Sequence, residues 1–161
     1  MVDMSKTAES HPPAELTKVR DFLCFSVYSA TNAFNRMYKS VLDQFGLTYT
    51  QYLVLTVLAE RGEASVGELG EMLYLESNTL TPLLKRLETS DLVGRRRDPA
   101  DERIVRVALT KSGRKLAEQA QCVPSEVLKA ANISEEQIAR LNAELNLLRR
   151  NLRASQTNDA S

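Results

Sequence analysis

The chain has 161 residues, and its 21 Lys+Arg are balanced by 21 Asp+Glu, so the formal net charge is zero. That balance excludes a polybasic tail or a histone-like blanket of positive charge, but it leaves room for a local basic patch. The length and a hydrophobic content of 43% suit one domain with an added oligomerisation element. No apolar run approaches the roughly 20 residues of a membrane span. The leading MVDMSKTAESHPPAEL has neither a basic nor a hydrophobic export region, so the expected location is cytoplasmic, with no membrane partner. Two cysteines, Cys24 and Cys122, make no secreted disulfide scaffold and fit no metal-ligand spacing. The expectation is therefore no metal and no cofactor, with any cysteine chemistry redox or nucleophilic.

In chain order, residues 1–16 and 154–161 are polar and expected to be flexible. From Val19 to Phe45 there is no Gly or Pro, and Val19, Phe22, Leu23, Val27, Ala30, Phe34, Met37, Val41 and Leu42 recur at helical spacing, with Gly46 as the stop. The stretch FLCFSVY is apolar on nearly every side, which calls for more than one neighbour, one of which could be another chain. A second helix is expected from Thr50 to Glu60, its apolar face formed by Leu53, Val54, Val57 and Leu58. Ser65 and Glu68 make a capping box for a short third helix ending near Leu73. A fourth starts near Ser77 and carries Leu80, Leu83, Leu84 and Leu87 at i, i+3, i+4, i+7, with Pro82 one turn in. After Asp91 the period becomes alternating: Leu92–Arg97 and Arg103–Leu109 form a two-stranded ribbon around the turn DPADE. Thr110 caps a helix that bends near Pro124. Ser134 and Gln137 box the last helix, whose Ile138, Leu141, Leu145, Leu148 and Leu152 make a narrow seam for a partner helix, in this chain or in a second one.

Two short helices followed at once by a ribbon is the order of a winged helix-turn-helix. The polar face of the fourth helix shows Ser77, Asn78, Thr79, Thr81, Lys85 and Arg86, which can bond phosphates and base edges. Between Lys85 and Lys115 there are ten basic and five acidic residues, so this segment is +5 and the remainder −5. Such concentration, which includes Arg95, Arg96 and Arg97 in the ribbon, is the electrostatic footprint of a duplex-binding surface. Arg103 sits where a ribbon tip could enter a minor groove, and Asp101 could hold its guanidinium in a bidentate pair or simply stiffen the turn.

Cys24 lies in the apolar first helix, where packing alone would account for it. Tyr28, Tyr38 and Tyr49 offer a second role, because a phenol can donate to a thiolate, the form that attacks a peroxide. Cys24 and Tyr38 are fourteen residues apart, roughly 21 Å along one straight helix, so they could meet only across an antiparallel dimer. Phe22, Phe25 and Phe34 around the thiol would favour greasy oxidants. A thiol peroxidase is a poor alternative, since there is no CxxC and no parallel-strand pattern.

The strings LCFSVYSA, LTYTQYLVL, ELGEMLYLESNTLTPLLKRLE and DERIV, with Tyr38 between the first two, resemble the organic hydroperoxide resistance regulator (OhrR) branch of the MarR family over about Phe22 to Leu152. The resemblance implies a mainly α fold with a small β-hairpin wing, a winged helix-turn-helix homodimer joined through its N- and C-terminal helices. On that layout residues 17–48 form the N-terminal dimerisation helix, 49–110 the DNA-binding domain and 111–153 the C-terminal dimerisation helices. It implies a repressor rather than an enzyme, partnered by double-stranded operator DNA. Cys24 would then be the sensor of organic hydroperoxides, contacted across the dimer by Tyr38 and Tyr49. The branch includes members with a second, resolving cysteine in the later helical region, where this chain has Cys122; Cys122 is assigned that role, the alternative being a bystander. Thr50 stands where the family often has proline, and Thr is an acceptable helix N-cap. The rival within the fold is a repressor released by a phenolic or lipophilic ligand without redox sensing.

Overall fold

The computed structural model describes residues 18–158, so His11, expected to have no role, lies outside the described residues. Two units divide the chain after Arg36. The first, over residues 18–36, holds a 3-10 turn Val19–Asp21 and most of helix α1 (Leu23–Leu42). Its Val19, Phe22, Leu23, Phe25, Val27, Tyr28 and Phe34 are all exposed.

In the second unit α1 ends in a 3-10 turn at Asp43–Phe45, closed by Gly46 in the left-handed region at φ 64°, as its position after Phe45 predicts. Helix α2 (Tyr49–Arg61) is capped by Thr48 rather than Thr50: the Thr48 hydroxyl accepts from the Gln51 N–H while the Gln51 side chain accepts from the Thr48 N–H. Thr50 instead lies in the first turn, because Gln51 is three residues after Thr48 and completes the reciprocal pair only there. The Ser65–Glu68 box opens α3 (Val66–Leu73) as expected. Helix α4 (Ser77–Thr89) contains Pro82. Its Leu80, Leu83, Leu84 and Leu87 are all buried, each contributing about 1.5–3 kcal/mol of apolar transfer energy.

The wing is larger than a ribbon. Strands β2 (Val93–Arg97) and β3 (Val105–Leu109) pair antiparallel, and β1 (Glu63–Ser65) adds on the far side of β3, in the order β1-β3-β2. The sequence reading missed β1 because three residues ending on the capping Ser65 carry no alternation; only Ala64 is buried. Helices α5 (Lys111–Gln119) and α6 (Val123–Ala131) are joined through a 3-10 turn at Ala120–Cys122, which accommodates Pro124 in the first turn of α6. The Ser134–Gln137 box opens α7 (Glu135–Asn158), which continues past residue 153, the expected start of a flexible end, because nothing after Arg153 breaks a helix. On α7 Leu141, Leu145, Leu147 and Leu152 are exposed. The core joins Leu42, Val54, Leu55 and Leu58 to the α4 leucines, Val93 and Val107, and to Val123 and Val127 of α6. No helix among the described residues is long and apolar enough to cross a membrane.

Candidate nucleic-acid interface and thiol site

Burying its leucines leaves α4 presenting Ser77, Asn78, Thr79, Thr81, Lys85 and Arg86 to solvent. The 3.6-residue period dictates this: the four leucines occupy one stripe, and the polar residues fall on the opposite one. The exposed face is therefore a continuous strip of donors and acceptors. The Thr79 hydroxyl lies 3.2 Å from the Asn78 side-chain oxygen.

The wing arginines divide into braces and reachable charges. Arg95 pairs with Glu88 at the end of α4. Arg96 meets Glu63 of β1 at 2.7 Å. Arg106, opposite Arg96 in the ladder, binds Asp98 at 2.7 Å and Glu68 at 3.4 Å. Arg97 donates to the Glu102 carbonyl at 2.8 Å. Arg95 and Arg96, expected to face DNA, thus have carboxylates of their own chain beside them, which a residue count could not reveal. The Arg103 side chain is exposed and has no acceptor among the described residues. Asp101 does not form the expected pair with its guanidinium. Its carboxylate accepts from the Arg103 N–H at 3.0 Å, and the Ile104 N–H donates to the Asp101 carbonyl at 2.9 Å, so Asp101 shapes the tip and leaves the side chain outward.

These pairs shift the carboxyls' ionisation. Hydrogen bonding from Arg106, helped by the Ala100 N–H, holds Asp98 below the usual carboxylate range. The Ser65 N–H and hydroxyl, with Arg106 behind them, do the same for Glu68, and Arg95 does so for Glu88. Glu68 therefore caps α3 and also ties it to β3. That dual use was missed, since a capping box reads locally and Arg106 is 38 residues away.

The tyrosines are brought together in part. Tyr38 of α1 and Tyr49 of α2 have ring centroids 4.4 Å apart, and Tyr52, absent from the expected set, lies 6.3 Å from Tyr38. Its spacing of three from Tyr49 on a helix could have identified it. Burial pushes the Tyr38 phenol up to about 12, with Tyr49 and Tyr52 adding to the shift, and burial also raises Tyr49. Both stay protonated donors at neutral pH. Tyr28 lies in the first unit, where its ring neighbour is Phe25 at 6.4 Å. Cys24 is exposed among the apolar side chains of that unit. Cys122 is exposed in its 3-10 turn, its thiol donating to the Gln119 carbonyl at 3.7 Å. Among the described residues no cluster of His, Cys, Asp and Glu could hold a metal.

The profile of the transcriptional regulators SarA/Rot matches residues 36–120. The HTH-type transcriptional regulator TtmR of Methylorubrum extorquens is 49% identical over 77% of this chain and 62% of its own, so the chain spans less than two thirds of that relative. The organic hydroperoxide resistance transcriptional regulator of Bacillus subtilis is 40% identical over 80% of this chain and 87% of its own. AbfR of Staphylococcus epidermidis is similar in structure. Its reduced form bound to DNA superposes with a TM-score of 0.69 at 37% identity over 81% of this chain and 91% of that one. Its overoxidised form, also bound to DNA, gives 0.63 at 38% identity over 79% and 90%.

Proposed function

This chain belongs to the MarR family of winged-helix transcription regulators, on the side of the organic hydroperoxide resistance regulators, and from that premise we propose that it is a homodimeric cytoplasmic repressor released from its operator by organic hydroperoxides. The observation that carries the DNA part is the joint exposure of the α4 polar strip, oriented by the buried leucines on the opposite face of that helix, and of Arg103 in the turn of the wing. Ser77, Asn78, Thr79, Thr81, Lys85 and Arg86 read the major groove and its phosphates, and Arg103, with Arg97 at the turn end of β2, reaches the minor groove. Arg95 and Arg96 brace the wing, and Asp101 sets its tip. Dimerisation is supported by the exposed leucines of α7 and by the exposed aromatic and aliphatic side chains of the first unit, more than a monomer leaves in water without a partner. Residues 17–48 and 111–153 supply that surface, and 49–110 the DNA-binding domain.

The redox step balances as follows. The Cys24 thiolate attacks the terminal oxygen of the hydroperoxide, the O–O bond breaks, and the alkoxide takes a proton and leaves as an alcohol, giving sulfenic acid. The Cys122 thiol of the other subunit then attacks that sulfur, forming an intersubunit disulfide and releasing water. Tyr38 and Tyr49, protonated at neutral pH as phenols are, donate to the thiolate across the dimer, with Tyr52 backing Tyr38. AbfR is bound to DNA in its overoxidised form, which favours crosslinking over added oxygen as the releasing event here. A disulfide requires Cα atoms within about 7 Å; if the two cysteines start further apart, forming it moves the helices that carry them and so changes the spacing of the two recognition helices. Peptide mapping after one equivalent of cumene hydroperoxide tests the scheme: a Cys24–Cys122 linked peptide is expected, and oxidation confined to Cys24 contradicts the role of Cys122.

The second reading, release by a phenolic or lipophilic ligand, is favoured by a cavity of about 290 Å³ whose apolar wall of Tyr52, Ala59, Ala117, Ala120 and Pro124 is joined by the polar Thr56, Glu60 and Gln121. DNA binding that ignores peroxide but is lost with such a compound would establish it.

A further inference from the structure

Arg106 stands in the middle strand of the wing sheet, opposite Arg96 on β2 and Ser65 on β1. Alternation along β3 sends Val107 into the core, so Arg106 lies on the other face, beside Arg96. Like charges directly opposite each other destabilise a ladder, and here each is met by carboxylates: Arg96 by Glu63, Arg106 by Asp98 and Glu68. The two arrangements differ in what they join. Glu63 belongs to β1, so the Arg96 pair stays inside the sheet. Arg106 reaches out of it, its Nε donating to Asp98 at 2.7 Å and its Nη1 to Glu68 at 3.4 Å. Asp98 opens the wing turn, where its second carboxylate oxygen accepts from the Ala100 N–H at 2.8 Å and its N–H donates to the Ile104 carbonyl at 2.9 Å. Glu68 completes the cap of α3, accepting from the Ser65 N–H at 2.6 Å. Helix α3 is in turn packed closely on the start of α4: a Cβ on Gly70 would lie 2.9 Å from the Leu75 carbonyl oxygen and 3.8 Å from the Leu80 side chain. One guanidinium thus links the turn that carries Arg103 to the helix that sets α4. The Arg106 and Asp98 side chains are 29% and 14% exposed, against 55% and 42% for Arg96 and Glu63, so water and salt screen this pair less.

We propose that Arg106 is a positioning residue for DNA recognition: by bridging Asp98 and Glu68 it fixes the wing turn against the helix-turn-helix, so that Arg103 meets the minor groove while α4 occupies the major groove. The inference rests on the operator-binding reading and deepens it, with Arg106 acting through Arg103 and not on the duplex itself. A wing turn free to swing has to be ordered when the duplex binds, and bracing it beforehand removes that entropic cost. The rigid fork of a guanidinium suits the task, since it holds two carboxylates in fixed directions, which an ammonium on a flexible stem does not.

The test uses the full chain and a labelled duplex selected from a randomised pool by the wild-type protein, with affinity measured by anisotropy well below the Tm of every variant. Arg103→Ala is expected to weaken wild-type binding about tenfold, but to weaken R106Q by less than about threefold, because the contact it removes is already lost there. Lys85→Ala, on α4, costs the same factor in both backgrounds. Asp98→Asn gives a second readout. It deletes a negative charge from the wing, which by charge alone would tighten binding, yet it is expected to weaken binding about threefold or more. The same cycle run in E68Q, where Gln keeps the α3 capping box, serves should R106Q fail to fold. Equal penalties for Arg103→Ala in the wild-type and braceless backgrounds, or an Asp98→Asn protein that binds as tightly as wild type, overturn the proposal. Wild-type protein that selects no duplex, or that loses nothing with Arg103→Ala, would instead sink the reading on which it rests.

Discussion

Gly113 tests how tightly the wing is coupled to the helices that follow it. A Cβ at this position would lie 1.9 Å from the Leu92 carbonyl oxygen and 2.8 Å from its carbon, where real Cβ atoms keep at least 3.0 Å. The contact is made by backbone, so Gly113→Ala must push α5 away from the α4–β2 turn by more than about 1 Å. That displacement pulls on the Thr110 N–H bond to Leu92 (3.1 Å), on the Thr110 hydroxyl bond to the Asp91 carbonyl (2.6 Å), and on the Thr110 cap of α5. Overpacking costs about 1–3 kcal/mol, loss of a cap about 0.5–2 and a broken hydrogen bond about 0.5–1.5. Helix propensity opposes them with a gain of only about 1 kcal/mol. The expected net destabilisation is about 2–4 kcal/mol, or a fall in Tm of roughly 5–12 °C for a domain of this size. Thermal melts followed by circular dichroism, at one protein concentration because dimers melt concentration-dependently, give the answer. A Tm equal to or above wild type would mean that propensity outweighs the contact and that α5 is not held against Leu92.

Three further outcomes follow from the ionisable groups and the thiols. The carboxyls of Asp98, Glu68 and Glu88 are held below their usual range, so the stability they contribute is present above the unfolded carboxyl pKa near about 4 and is lost as pH falls through the lower folded values. Asp98→Asn should therefore lower Tm at neutral pH and flatten its acid limb; parallel Tm–pH curves would contradict the wing pairing. Tyr38, pushed up to about 12, contributes stability that is present below the ordinary tyrosine pKa near about 10 and is lost as pH rises towards the folded value. Tyr38→Phe should delete the last tyrosinate step in an ultraviolet titration, and loss of a step near the ordinary value instead would place that ring in water. On non-reducing gels, Cys122→Ser should show no intersubunit crosslink after peroxide, and a persisting crosslink removes Cys122 from the scheme.

Much of the fold is legible in the sequence where the signal is local. The α4 leucines at i, i+3, i+4, i+7 bury as their spacing dictates, and the Ser65–Glu68 and Ser134–Gln137 boxes form as read. What escapes is long-range. Strand β1 has no pattern of its own and exists because β3 offers it an edge. The carboxylates that folding places beside Arg95 and Arg96, Glu88 and Glu63, cannot be read from the local pattern of charges. Tyr74 and Arg149 are 75 positions apart, and only the path of α7 makes them neighbours. Asp101 stiffens the turn through the Arg103 N–H and not through the guanidinium, since its carboxylate reaches a backbone N–H more cheaply than it could order a long side chain.

The most direct test of the account measures DNA binding of wild type and Cys24→Ser on the same selected duplex, before and after cumene hydroperoxide, with dithiothreitol added last. Wild type should release the duplex on oxidation and rebind on reduction, while Cys24→Ser stays bound throughout. Release of the serine variant by the same peroxide would show that Cys24 is not the sensor.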